Sequence, residues 1–256
     1  MATMAQPASV ERGDARFFFV MACVQAAVIV AGFSLNIVMG RSSFSAPLPY
    51  HIHGIVMMAG LALYVAQAGL VFGGAVSIHR RLGWVAAAWV PVMVATGLYI
   101  TRFALLERGG PPFFDQNQFL VSNPLHLVGF AGFVAWAVAM RRRTDWHRRL
   151  MFCGFAMILG PGIGRLLPTP LFMPYAWYAV AVLPPLIFMS IGALADWRRT
   201  GRVHPAILWG VAIAIGIQAF ADLVAYSEWG VAFTRDFVAG SPGADRPMQG
   251  FLPPGF

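Results

Sequence analysis

Six histidines hold most of the chemistry open to this chain, and they alternate along it. His51, His53 and His126 lie toward one end of their apolar runs; His79, His147 and His204 lie at the other. Imidazole is the commonest metal ligand and a frequent axial ligand to haem iron. An ionisable side chain inside an apolar span is costly, so it turns to the interior of a bundle and marks a working site by default. His126 is several residues inside its run, behind Asn123-Pro124, and His53 is about one helical turn into its own. Residues seven apart return to nearly the same helix face, so His53, Gly60 and Gln67 make one stripe. His147 and Gly154 repeat that spacing, and Gly83 follows His79 by four. A glycine close below a histidine leaves room for a flat macrocycle.

Each of these features also has a plainer reading. Small residues let helices pack closely in membranes. His79 and His147 precede paired arginines and could be solvated at the interface, and His204 precedes Pro205, as helix starts often do. His51 and His53 are two apart and face different ways on a regular helix, which puts one of them among the headgroups.

A membrane must position these residues. Hydrophobic residues fill 59% of the 256 positions and charged residues 11%, with a mean hydropathy of +0.68. A soluble domain carries about 25% charged residues. Seven apolar runs, at 17–38, 50–72, 82–100, 119–140, 150–167, 176–194 and 205–226, approach or exceed the roughly 20 residues that cross a bilayer as a helix. They predict an all-α polytopic transmembrane bundle over residues 1–226, with an outer segment over 227–256. The charged leader does not resemble a removable signal peptide, so the first span is expected to stay. In the outer segment, Glu228 to Val238 predicts a short interfacial helix with Trp229, Phe233 and Phe237 toward lipid. The Pro- and Gly-rich stretch after it either crosses the mouth of the bundle or stays loose.

All 18 basic residues are arginine, and 12 of them lie at the N-terminus or in the loops after the second, fourth and sixth runs. The positive-inside rule makes that side cytoplasmic, so the N-terminus is expected inside and the C-terminus outside. The net charge of +8 then sits on the inner face, where it suits anionic lipid headgroups better than nucleic acid. A bacterial plasma (inner) membrane is the expected location. With no lysine, a retinal Schiff base and other lysine-dependent covalent chemistry are excluded. Cys23 and Cys153 read as small apolar packing residues.

His79-Arg80-Arg81-Leu82 returns as His147-Arg148-Arg149-Leu150, and each follows a run with histidine near its outer end. The second to fifth runs thus read as two related hairpins. Four consecutive spans with histidines alternately at outer and inner ends, and a His-x-x-Leu-Gly element at His79 to Gly83, carry a family likeness. Over about residues 50–168 the chain resembles the diheme b-type transmembrane cytochromes of the ascorbate- and ferric-reductase kind. The resemblance implies membrane electron transfer through one or two b-type haems. His53 and His126 would then hold an outer haem, and His79 and His147 an inner one. The seventh span, the extra His51 and the lack of a recognisable electron-donor site depart from that pattern.

Arg165 follows Gly160-Pro161-Gly162-Ile163-Gly164, a stretch that loosens a helix and lines a cavity. Its guanidinium suits either Asp222 of the last run, with Gln218 nearby, or an anionic ligand such as a haem propionate. Two other functions stay open. One is a metal-dependent membrane enzyme, with His51, His53 and His126 joined by Asp115 or Glu107 around zinc, copper or iron. The other is a non-catalytic subunit for assembly, transport or lipid binding within a larger membrane complex. In the haem reading the partners are the bilayer and a redox protein.

Overall fold

A computed structural model describes residues 8–253. The expectations for residues 1–7 and 254–256, and for the side chains of Glu11 and Arg12, lie outside the described residues. The helices are α1 (Ala8–Val38), α2 (Leu48–Phe72), α3 (Val76–Arg108), α4 (Gln116–Ala139) and α5 (Thr144–Ala156). They continue with α6 (Gly160–Leu166), α7 (Leu183–Thr200), α8 (Pro205–Ala225) and α9 (Glu228–Val238). No strand occurs among the described residues. Six helical segments are long and apolar enough to cross a membrane, and α5 with α6, bent by 47°, passes the same test when taken together. The chain is an integral membrane protein built as an all-α bundle.

The bend follows from Pro161. It has no N–H to offer the Met157 carbonyl, and its ring would clash there, so the helix stops and restarts. The two halves still traverse the bundle. Arg149 of α5 reaches Asp14 of α1 and Asp196 near the end of α7, whereas Arg165 of α6 lies over Phe33, far along α1. α6 lies on α1 almost backbone to backbone, because a Cβ on Gly162 would meet Ile29 Cα at 2.7 Å. Just before α7, one wide π-type turn spans Tyr178–Val182. Pro184 and Pro185 follow it and cannot donate to the carbonyls one α-turn back.

Helices α1 to α5 close into a ring, α1 against α2, α2 against α3, α3 against α4, α4 against α5 and α5 against α1. α8 packs outside this ring on α4 and α5, and α7 on α5 and α8. The middle of the ring is filled: Tyr64 stacks on Phe155 at 3.8 Å, and Met93, Phe130 and Phe152 are buried around them. Tyr64 donates to Gln25 Oε1 at 3.1 Å, and Gln25 Nε2 donates to the Phe152 carbonyl at 3.3 Å. Buried polar groups here have partners, as burial demands.

The span ends differ from the hydropathy reading. α3 runs for 33 residues, about 50 Å, so it extends past a core of about 30 Å and absorbs residues expected in loops. The outer loop expected from Arg102 to Gln118 therefore shortens to residues 109–115, turned by Gly109 at φ +75°. α9 has the expected bounds. Trp229 and Phe233 stack at its exposed face, while Phe237 is partly buried against Leu105 and Val238. The segment after α9 lies on the outer mouth. Arg246 donates to the carbonyls of Gly109, Pro111 and Phe114, and the backbone pairs at Gln116 N–Met248 O and Phe251 N–Pro112 O.

Candidate functional site

Outer and inner histidines meet different surroundings. On α4, His126 is buried and its Nε2 lies 3.0 Å from Gln218 Oε1 of α8. Trp177 Nε1 donates to the same oxygen at 2.9 Å, which makes it an acceptor and leaves the His126 proton on Nε2. Gln218 Nε2 in turn donates to Asp222 Oδ1 at 2.8 Å, and Gln118 joins that carboxylate at 3.2 Å. The His126 ring also lies against the Met157 carbonyl, the group that Pro161 leaves free. It faces α8 and the segment before α7.

His53 turns elsewhere. Its ring lies by the Thr96 carbonyl of α3 and within reach of the Arg165 charge, and its Nδ1 is buried with no hydrogen-bond partner. The structure thus does not bring His53 and His126 together as a facing pair. His51 is half-buried, a residue away on a different helix face. The acids expected beside these histidines have other partners. Glu107 accepts from Tyr50 and Arg108, and Asp115 accepts from Tyr226 and the Gly250 N–H. No group of three His, Cys, Asp or Glu that could hold a metal ion occurs among the described residues.

The glycine slots are corrected as well. Beside Gly60 the thioether of Met93 occupies the place of a Cβ, and beside Gly154 a Cβ would meet Phe133 Cβ at 3.1 Å. Both serve close helix packing, and neither leaves a slab for a macrocycle. The Arg165–Asp222 pairing is likewise overturned. Arg165 lies 4.0 Å above the Phe33 ring and donates to the Pro161 carbonyl, while Asp222 is held by Gln118 and Gln218. Gln218 does extend the Asp222 patch, as its spacing suggested.

The inner histidines do meet. The rings of His79 on α3 and His147 on α5 lie 6.1 Å apart, centroid to centroid, at 80°. α3 and α5 share no extended packing interface, and the two imidazoles meet edge to face between them. With metal–nitrogen bonds of about 2.0–2.1 Å, two imidazoles on one ion have centroids about 5–6.5 Å apart. His147 Nδ1 lies 2.8 Å from the Ala137 carbonyl, so this nitrogen carries the proton and Nε2 keeps a lone pair. His79 Nδ1 is buried without a partner, and so are both amide atoms of Gln67, which point toward Gly83. Both residues are partly buried, and their unpartnered atoms are open to a further donor or acceptor. The donor set fits a bis-imidazole group at this inner site; the outer residues do not assemble one.

Sequence reading missed the cluster closing the inner end. Arg149 Nε donates to Asp196 Oδ2 at 2.8 Å and its second arm to the other oxygen, while Asp14 receives Arg148, Arg149 and Arg199. Asp14, Arg149 and Asp196 are buried, although their sequence neighbourhood suggested solvated loops. His204 belongs to this end as a helix cap, accepting from Ala206 N at Nδ1 and meeting Asp145 at Nε2. Burial, then the charge of Arg149, holds its pKa below the ordinary histidine value, against the pull of Asp145. No protein-family model, no curated protein and no solved structure matches this chain.

Proposed function

We propose that this chain is a membrane electron-transfer protein whose inner half holds one b-type haem between His79 and His147. The observation that carries the reading is the meeting of these two imidazoles between helices that share no extended packing interface, beside the unpartnered Gln67 amide. When bound, the haem supplies one-electron oxidation and reduction. The residues around it fix the ligands. The Ala137 carbonyl holds the His147 tautomer and aims Nε2 into the gap, the outer-shell arrangement that ligating histidines generally have. The Gln67 amide supplies a donor and an acceptor at the rim, and Gly83 keeps that side of α3 clear. With the arginine-rich ends in the cytoplasm, the site lies on the cytoplasmic side of a bacterial plasma membrane, and electrons pass to or from a redox partner there.

The test is an absorption spectrum of the full chain, purified from a host supplied with haem, before and after dithionite. A Soret band that shifts on reduction is expected, lost in His79→Ala and His147→Ala and kept in His126→Gln. Absence of the band from the unaltered protein overturns the proposal. Colourless protein carrying stoichiometric zinc, copper or iron through His79 and His147 would point to the metal-dependent reading, because two imidazoles and the Gln67 oxygen also suit a bare ion. Colourless and metal-free protein would leave the non-catalytic subunit.

A further inference from the structure

Asp222 is a carboxylate in the last turn of α8 that no cation of the chain pairs with. The amides of Gln118 and Gln218 both donate to its Oδ1, and the Tyr178 hydroxyl lies beside it. All three partners are neutral. Among the described residues no arginine or histidine forms an ion pair with it, and His126 is linked to it only through Gln218. The carbonyl end of a helix carries partial negative charge and favours cations, yet α8 has no basic residue in its last turn. Asp115 adds a second carboxylate behind Tyr226, whose hydroxyl donates to it at 2.8 Å. Arg246, bonded to the neighbouring Phe114 carbonyl, balances Asp115 rather than Asp222. A charge left unpaired in a span calls for a counterion.

The hollow at this carboxylate limits what the counterion is. It measures about 580 Å³, lies open at the surface, and is lined by Ala219, Asp222, Leu223, Tyr226 and Ser227. With the arginine-rich ends in the cytoplasm, α8 runs outward from Pro205. Tyr226 and Ser227 therefore lie on the water side of Asp222, and Ala219 lies on the hydrocarbon side. Gly216, one turn below Ala219, is exposed, and a Cβ there would meet nothing within 4 Å. Ala219 and Gly216 thus make a shallow floor that leads from the carboxylate into the hydrocarbon. Beside it stand Leu223 and Phe220, which are 75% and 57% exposed. A hydrated metal ion has no use for such apolar surface. A quaternary ammonium has no N–H to donate and favours several aromatic faces, whereas Tyr226 supplies one. A primary ammonium on an apolar chain fits both parts of the hollow.

We propose that the outer end of α8 binds the primary ammonium of an amphiphile at Asp222, with its apolar chain running inward along Ala219 and Gly216. The ammonium donates charge-assisted hydrogen bonds to the carboxylate. A lipid headgroup amine and a free long-chain amine share this chemistry. The site is separate from the His79–His147 pair and stands whether or not that pair holds haem.

The full chain, delipidated in a neutral detergent, is offered phosphatidylethanolamine, phosphatidylcholine, dodecylamine or ethylamine. Ligand retained is read by native mass spectrometry, and the melting temperature is read in parallel. Phosphatidylethanolamine or dodecylamine is expected to be retained about tenfold more tightly than phosphatidylcholine, the size of one good charge-assisted contact. Which of the two is retained tells a headgroup amine from a free long-chain amine. Asp222→Asn should abolish the preference, while Asp236→Asn, at an exposed acid of α9, should leave it unchanged. Ala219→Trp, which fills the floor with Asp222 intact, should lower retention and serves if Asp222→Asn does not fold. The proposal is overturned if neither amine outlasts phosphatidylcholine, if the preference persists in Asp222→Asn, or if retention is unaltered in Ala219→Trp. A full melting shift with ethylamine alone overturns it too, since the apolar chain would then contribute nothing.

Discussion

At the outer end His126 shares Gln218 with Trp177 and continues through Asp222 to Gln118, whereas at the inner end His79 and Gln67 hold polar atoms that nothing in the chain meets. Both regions carry a histidine within a span, and both read alike in sequence. The difference is whether the fold itself supplies the partner. A histidine already bonded into a side-chain chain stiffens the core. A histidine with an unpartnered ring nitrogen leaves work for something else.

Breaking a fully satisfied region should cost far more than altering an unsatisfied one, and four measurements rank that difference. The largest effect is expected at the buried ion cluster. Arg149→Met leaves Asp196 and Asp14 short of a partner and should lower stability by about 3–5 kcal/mol, seen as a collapse in thermal denaturation of detergent-purified protein. His126→Phe removes one donor from Gln218 while Trp177 keeps another, so about 1–3 kcal/mol is expected, with the Soret band retained. Gln67→Leu should do the reverse. Because the amide has no partner, the cofactor-free protein should melt within about 1 kcal/mol of the parent or above it, while haem retention falls. A strong loss of stability in cofactor-free Gln67→Leu would erase the distinction between the His126 and His79 settings.

The smallest effect depends on pH. His204 uses Nδ1 as an acceptor for Ala206 N–H, so protonation there removes the cap. Its folded pKa is lowered by burial, so the unfolded chain binds the proton first. Stability from this group is complete above the ordinary value of about 6.5 and is lost as pH falls from there through the folded pKa. A loss of about 0.5–1 kcal/mol is expected, and His204→Asn, which caps without titrating, should flatten that part of the melting profile.

Hydropathy made the bundle legible. The seven runs, their order and the interfacial helix at Glu228–Val238 follow from composition and period alone. The repeat of His79-Arg80-Arg81 at His147-Arg148-Arg149 singled out two histidines whose rings lie 6.1 Å apart. What a single helix cannot reveal is its rotation against its neighbours. Gly60 lies on the histidine stripe, but Met93 arrives from α3 to fill the space. Arg165 and Asp222 share a depth yet look toward α1 and α4. Asp14 and Asp196 stand where loop charges are expected, and only the convergence of α1, α5 and α7 buries them with arginine. Sequence period gives the face of a helix; packing decides what that face meets.

The strap over the outer mouth has a consequence for how the protein is made. Gln116 takes its backbone acceptor from Met248 and its side-chain acceptor from Gly243, and the carbonyls of Gly109, Pro111 and Phe114 wait for Arg246. Those partners leave the ribosome last, after the helices they fasten, so the turn between α3 and α4 can settle only once they arrive. The first five spans can insert early, but their outer rim is finished last, by a segment that acts as a latch on a bundle already in the membrane.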